Sequence, residues 1–239
     1  MRLALKTVLL VAGVMTFWRP SLSLSEPVHV SALSDDIVLE HLEEGGSLTT
    51  VSGDIRFEEA HALMRVSTIS GDIKLGRLAG DAVVSSVSGD VSVGEAYKTL
   101  QVDAVSGDLR VDRVFGNAIL KTVSGDIDVA LGKDENASSM PRSLTLTTVS
   151  GDILFHLSQA FSGTIDVWAR QNEREHQIPV VQSLGLKVEL GPWEESGLSA
   201  LGLASSNRSR EIHVSGRLGD GTGHLVIHTT SGIVRLIQN

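Results

Sequence analysis

The sequence predicts an all-β fold: a single parallel β-solenoid (β-helix-like) of about seven 18-residue coils with a less regular C-terminal part. Three observations carry this. First, Val-Ser-Gly-Asp-Ile at Val51–Ile55 returns as Ile69–Ile73, Val87–Val91, Val105–Leu109, Val123–Ile127 and Val149–Ile153, in four steps of 18 residues and one of 26. A fixed short period marks a repeat architecture. Second, with the first Val as position 1, apolar columns appear. Position 5 reads Ile55, Ile73, Val91, Leu109, Ile127, Ile153, and position 7 reads Phe57, Leu75, Val93, Val111, Val129, Phe155. Position 16 reads Val66, Val84, Val102, Leu120, with Arg56, Lys74, Ser92 and Arg110 among the polar residues between columns. Such period-2 alternation makes strands with one buried face. Third, only 4% of residues are aromatic. The core must be built from Val, Ile, Leu and Ala, which suit a thin cross-section.

A single repeat cannot bury its own apolar stripe, but the next repeat stacked on it can. Coils about 4.8 Å apart then give a rod of roughly 30–35 Å from Leu33 onward. The rival geometry, a meander of antiparallel hairpins, offers no reason for a constant spacing.

Taken in order, residues 1–25 have the layout of a secretory signal peptide: basic Arg2 and Lys6, an apolar Thr7–Phe17, and small residues at Ser23-Leu24-Ser25. Residues 26–239 form the repeat domain. Val28–Ala32 is a lead-in strand. Leu33-Ser34-Asp35-Asp36-Ile37 starts the register, with Asp35 in place of glycine. Each coil has strands near positions 5–8 and 14–18, and regular coils run over 33–167. The corner at positions 8–13 varies freely and swells in the fifth repeat into Gly132–Ser143, where an insertion would form a loop suited to binding. Phe161–Val167 is a further copy only 12 residues after the last. An irregular region follows over 168–210, with a strand at Lys187–Leu190. Capping strands over 211–239 close the domain: Glu211–Val214 and His224–Thr230 around the glycine-rich turn Gly219–Gly223, then a last copy, Thr230–Leu236, without the Asp.

The corner is the only motif with repeated polar chemistry. It comprises Ser52, Gly53 and Asp54, and in successive coils Ser70, Gly71, Asp72; Ser88, Gly89, Asp90; Ser106, Gly107, Asp108; Ser124, Gly125, Asp126; and Ser150, Gly151, Asp152. The structural reading has Gly supplying an unusual backbone angle and Ser and Asp tying off nearby amides. The Val and Ile that flank the corner are expected to face inward. The competing reading is a calcium ladder on Asp54, Asp72, Asp90, Asp108, Asp126 and Asp152. Calcium β-rolls carry two Gly-Gly-x-Gly-x-Asp nonapeptides per turn, whereas this chain has one carboxylate per coil, so no metal site is assigned. Thr50, Thr68, Thr122 and Thr148 form a partial column read as packing and turn chemistry. His213, His224 and His228 gather near the end of the chain, with His224 and His228 on one strand face but too far apart to close a zinc site.

No cysteine is present and the formal net charge is −9, or −12 without Arg2, Lys6 and Arg19. No disulfide framework is available, and the acidic balance argues against nucleic acid, which needs clustered Lys and Arg. No stretch after the leader is long and apolar enough to span a membrane. No nucleophile elbow, zinc-protease motif or phosphate loop occurs, so no enzyme and no cofactor is expected.

The recurring Val-Ser-Gly-Asp-Ile and the closing His224–Leu236 stretch resemble the adhesin-like DUF4097 β-strand repeat family, over Leu33 to Leu236. The resemblance implies an exported β-solenoid of the bacterial cell envelope, periplasmic or secreted, that binds a protein or cell-surface partner or acts as a scaffold. Two alternatives remain: an envelope-stress or signalling accessory that binds a membrane partner, and a β-helix carbohydrate-active enzyme.

Overall fold

The computed structural model describes residues 7–10, 15–16, 27–132, 143–159, 161–173, 179–182, 184–195 and 208–238. These residues form strands and their connections, with no helix among them. Within the leader-like segment, β1 (Thr7–Leu10) and β2 (Met15–Thr16) are two short strands. Beyond it the chain alternates between two sheets. The first takes β3 (Val28–Ala32), β5 (Gly46–Ser52), β7 (Met64–Ser70), β9 (Ala82–Ser88), β11 (Leu100–Ser106), β13 (Ala118–Ser124) and β15 (Ser143–Ser150). The second takes β4 (Ile37–Leu42), β6 (Ile55–Ala60), β8 (Ile73–Leu78), β10 (Val91–Ala96), β12 (Leu109–Val114), β14 (Ile127–Leu131) and β16 (Ile153–Leu157).

Every neighbouring pair in this run is parallel. Ile55 pairs with Ile73, Ile73 with Val91, Val91 with Leu109 and Leu109 with Ile127, one coil per step. The fold is therefore a β-solenoid and not an antiparallel meander. β1 and β2 add a further parallel strand to each sheet, against β3 and β4.

The core lies between the sheets. The position 5 column is between 0% and 2% exposed throughout. Both sides of the variable corner are buried too, and there size alternates: Ala60 precedes Met64, Leu78 precedes Ala82, Ala96 precedes Leu100 and Val114 precedes Ala118. A large residue on one side is matched by a small one on the other, and the order reverses from coil to coil over the first three. Such alternation lets stacked layers interdigitate at constant cross-section.

One expectation is corrected. The Val at position 1 does not face inward: Val51, Ile69, Val87, Val105, Val123 and Val149 are 39–53% exposed, and Leu33 is 57% exposed. The first-sheet strands run on through the corner serine. Alternation from Met64, Val66 and Thr68, all buried, therefore turns Ile69 outward. The inward place beside it belongs to the threonine column, with Thr50, Thr68, Thr122 and Thr148 at 1–3% exposure.

The C-terminal part departs from chain order. After β16 the chain forms β17 (Gly163–Asn172) and β18 (Val180–Gln182), which do not stack on β15 and β16. It continues through β19 (Lys187–Leu190), β20 (Glu194–Glu195) and β21 (Arg208–Leu218) to β22 (Gly223–Ser231) and β23 (Val234–Gln238). β22 pairs in parallel with β15 on one side and β17 on the other, and β23 sits likewise between β16 and β18. The last copy of the repeat is thus an interior coil. The chain leaves a one-coil gap and fills it with its own C-terminus. Of the expected capping strands, β21 does lie at the end, antiparallel to β17 and carrying β19 on its outer edge. β22 and β23 do not.

Candidate functional site

At the conserved-geometry corner the polar groups are consumed by coil-to-coil bonding. The amide of Asp72 donates to Oδ1 of Asp54 at 3.0 Å, Asp90 to Asp72 at 3.1 Å, Asp108 to Asp90 at 2.9 Å and Asp126 to Asp108 at 2.8 Å. The ladder begins with Asp54 donating to Asp36 at 2.8 Å, crosses the insertion with Asp152 donating to Asp126 at 2.7 Å, and ends with Ile233 donating to Asp152 at 2.8 Å. Each glycine amide donates to the corner serine carbonyl of the next coil, as Gly107 does to Ser124 at 3.0 Å. Gly107 has φ +132, and a Cβ there would overlap the carbonyl of Gly89. Only glycine fits, by conformation and by space.

This accounts for the glycine and the aspartate, while the serine takes part through its backbone carbonyl. One oxygen of each carboxylate accepts the backbone amide of the aspartate in the next coil. Among the described residues no group of three or more His, Asp or Glu is placed to hold a metal ion. The last copy has Ile233 where the others have Asp, so its amide donates to Asp152 and no carboxylate carries the ladder on.

The outer face of the second sheet is charged and internally paired. Glu59, Arg77, Glu95 and Arg113 stack at one position in successive coils and alternate in sign, and His41 holds that position in the coil before Glu59. Glu59 lies 3.5 Å from both His41 and Arg77, and Glu95 lies 3.1 Å from Arg113.

The variable corner carries an aromatic step toward the insertion. Arg77 lies over the ring of Tyr97 at 4.8 Å, and Tyr97 stacks on Phe115 with centroids 4.6 Å apart. Phe115 is buried against Gly132, where any side chain would overlap its ring. Burial, and then its hydrogen bond to Glu95, raise the Tyr97 phenol above its ordinary range. Of the insertion Gly132–Ser143, residues 133–142 lie outside the described residues; Ser143 is held by Asn117 through a 3.1 Å amide bond.

The second departure is the outer face of β22, β17, β21 and β19. Cross-strand register places His228, Trp168, His213 and Glu189 in one row. Trp168 stacks on His213 at 3.9 Å between centroids and lies nearly parallel to His228 at 6.4 Å. His213 reaches Asp166 at 3.3 Å and Glu189 at 3.9 Å. Glu189 is bonded by Lys187 at 2.6 Å, which lowers the carboxyl and raises the ammonium. On the opposite face of β21, Arg210 donates to the buried Gln171 Oε1 at 2.9 Å and lies 4.7 Å over the exposed ring of Trp193. His224 sits on the same face as His228 and contacts Thr164 Oγ1 at 2.6 Å, with no carboxylate on its other nitrogen among the described residues. Sequence reading gathered the histidines but not Trp168, because their juxtaposition depends on which strands become neighbours.

The arrangement offers aromatic rings, paired carboxylates and cations on a rigid sheet, which is the equipment of recognition. Residues 23–137 and 47–184 match the family model described as Toastrack DUF4097. No curated protein and no solved structure matches.

Proposed function

The chain belongs to the Toastrack DUF4097 family, and from that premise we propose that it is a non-enzymatic, adhesin-like binding or scaffold protein of the bacterial cell envelope. The observation that carries the reading is the contrast between a regular rod, whose corners and charged face bond to themselves, and two irregular places. These are the insertion on the Tyr97–Phe115 step and the Trp168 face, and the insertion is the proposed partner-binding loop. Export is part of the proposal and rests on the leader-like Arg2–Ser25; no helix among the described residues is long and apolar enough to cross a membrane.

The test is cross-linking in a native envelope fraction with the intact chain and with a variant in which residues 133–142 are replaced by a short glycine-serine linker. Folding should survive, since an 18-residue spacing joins the neighbouring coils without any insertion, and partner capture should fall. Undiminished capture of every partner would remove the loop from the site. Recovery of a membrane regulator would favour the signalling-accessory reading, and recovery of a surface glycan or matrix protein the adhesin-like one.

A further inference from the structure

The outer face of the first sheet differs in kind from that of the second. Across its parallel coils from β3 to β22 it presents three outward columns mainly of serine, threonine and branched apolar side chains, with His29, Gln101 and His228 among them, and the only formal charges are Arg65, Asp103 and Lys121. Its apolar column, Ile69, Val87, Val105, Val123 and Val149, is about half exposed at every coil. Asp103 and Lys121 are register partners in adjacent coils near the middle of the face. Asp103 is bonded only by Gln101, at 2.7 Å, and Lys121 makes no ion pair among the described residues.

We infer that this face is a self-association surface, and that its occupant is a second copy of the chain packed face to face with its rod axis reversed. A two-fold axis parallel to the strands and lying between the coils of Asp103 and Lys121 keeps each column against itself and reverses the order of coils. Asp103 then meets the partner's Lys121, and Lys121 meets the partner's Asp103. The same operation sets Val105 against the partner's Val123 and Val87 against the partner's Val149, while Arg65 falls opposite the partner's Val226. No like charges face each other. The other two-fold arrangement, with rods parallel, sets Asp103 on Asp103 and Lys121 on Lys121, and is disfavoured by that repulsion. An isologous interface requires this kind of self-complementarity. The equal coil spacing of the two copies keeps every rung in step.

The area fits a reversible dimer. Six facing coils about 4.8 Å apart and three columns about 7 Å apart give a strip of roughly 400 Å² in projection on each copy. That is below the roughly 800 Å² per partner of a standard stable interface, which places the dimer among weak, transient associations. The dimer does not depend on the proposed function.

The test is sedimentation velocity of the purified chain across the micromolar range. The wild type should shift from monomer to dimer with concentration. Asp103→Lys alone and Lys121→Asp alone each create two like-charge contacts and should weaken the dimer about tenfold or more. The double exchange Asp103→Lys with Lys121→Asp should restore it. Val105→Glu should abolish it. All three substituted positions face outward, and unchanged melting curves would confirm that the four variants fold. A wild type that stays monomeric throughout, or a folded double exchange that does not recover dimerisation, overturns the inference. So does a chain that remains monomeric alone and is covered on this face only when another envelope protein is added.

Discussion

Aspartate at the corner acts as a backbone acceptor in side-chain form. It follows that its charge is dispensable while its Oδ1 is not. Asp108→Ala should cost about 1 kcal/mol, because the Asp126 amide loses its partner, whereas Asp108→Asn, which keeps the acceptor, should cost much less. Glycine in the same turn is held more strictly. Gly107→Ala meets both an unfavourable φ and the neighbouring carbonyl, and should cost about 2–3 kcal/mol in chemical denaturation. Interior Thr68 behaves oppositely. Thr68 is buried and its hydroxyl has no hydrogen-bond partner among the described residues. Thr68→Val keeps the shape and removes the unsatisfied group, so the melting midpoint should rise, by the equivalent of about 1 kcal/mol. A lower midpoint would show that the hydroxyl is satisfied in solution. The corner was legible residue by residue, since only glycine and short acceptors recur there. The outward Val was not, because its apolar character argued for the core while the alternation of its strand argued against.

Among elements, the strands were legible wherever period-2 columns ran through several coils. Paired columns also fixed their parallel register. What the columns could not show was the length of each strand past the corner, which decides that position 1 is outward and position 18 inward. They also could not show the cross-strand neighbours of Trp168. β17 bears Asp166 and Trp168, β21 bears His213 and β22 bears His228, and these segments are distant in sequence. The alternating charges on the second sheet, by contrast, could be read directly: one residue in each 18 changes sign from Glu59 to Arg113, and stacking turns that sequence into ion pairs. Each such exposed pair is worth little by itself, about 0–1 kcal/mol. Their use is in avoiding the repulsion that identical repeats would stack into a column.

For the whole molecule the decisive feature is the C-terminal coil inserted between β15–β16 and β17–β18. In an ordinary solenoid, removing the last repeat exposes one edge and shortens the rod. Here, ending the chain after Leu218 removes an interior coil and leaves four strand edges unpaired, on β15, β16, β17 and β18. That truncated chain should aggregate or lose the cooperative melting transition, measured by calorimetry and light scattering, whereas deleting only Gln238 and Asn239 should leave both unchanged. A truncated chain that melts as one cooperative unit would refute the interior role of this coil. The sequence by itself determined the coil: its period, its parallel stacking, its glycine corner and its small-residue core, all of which follow from local patterning repeated at fixed spacing. Tertiary structure alone decided the order of the last coils. Every edge of a parallel solenoid offers the same unpaired amides and carbonyls, so a repeat motif specifies that a coil will stack but not on which neighbour. That choice depends on how the chain between β16 and β22 reaches around the end of the rod, and no periodicity records it.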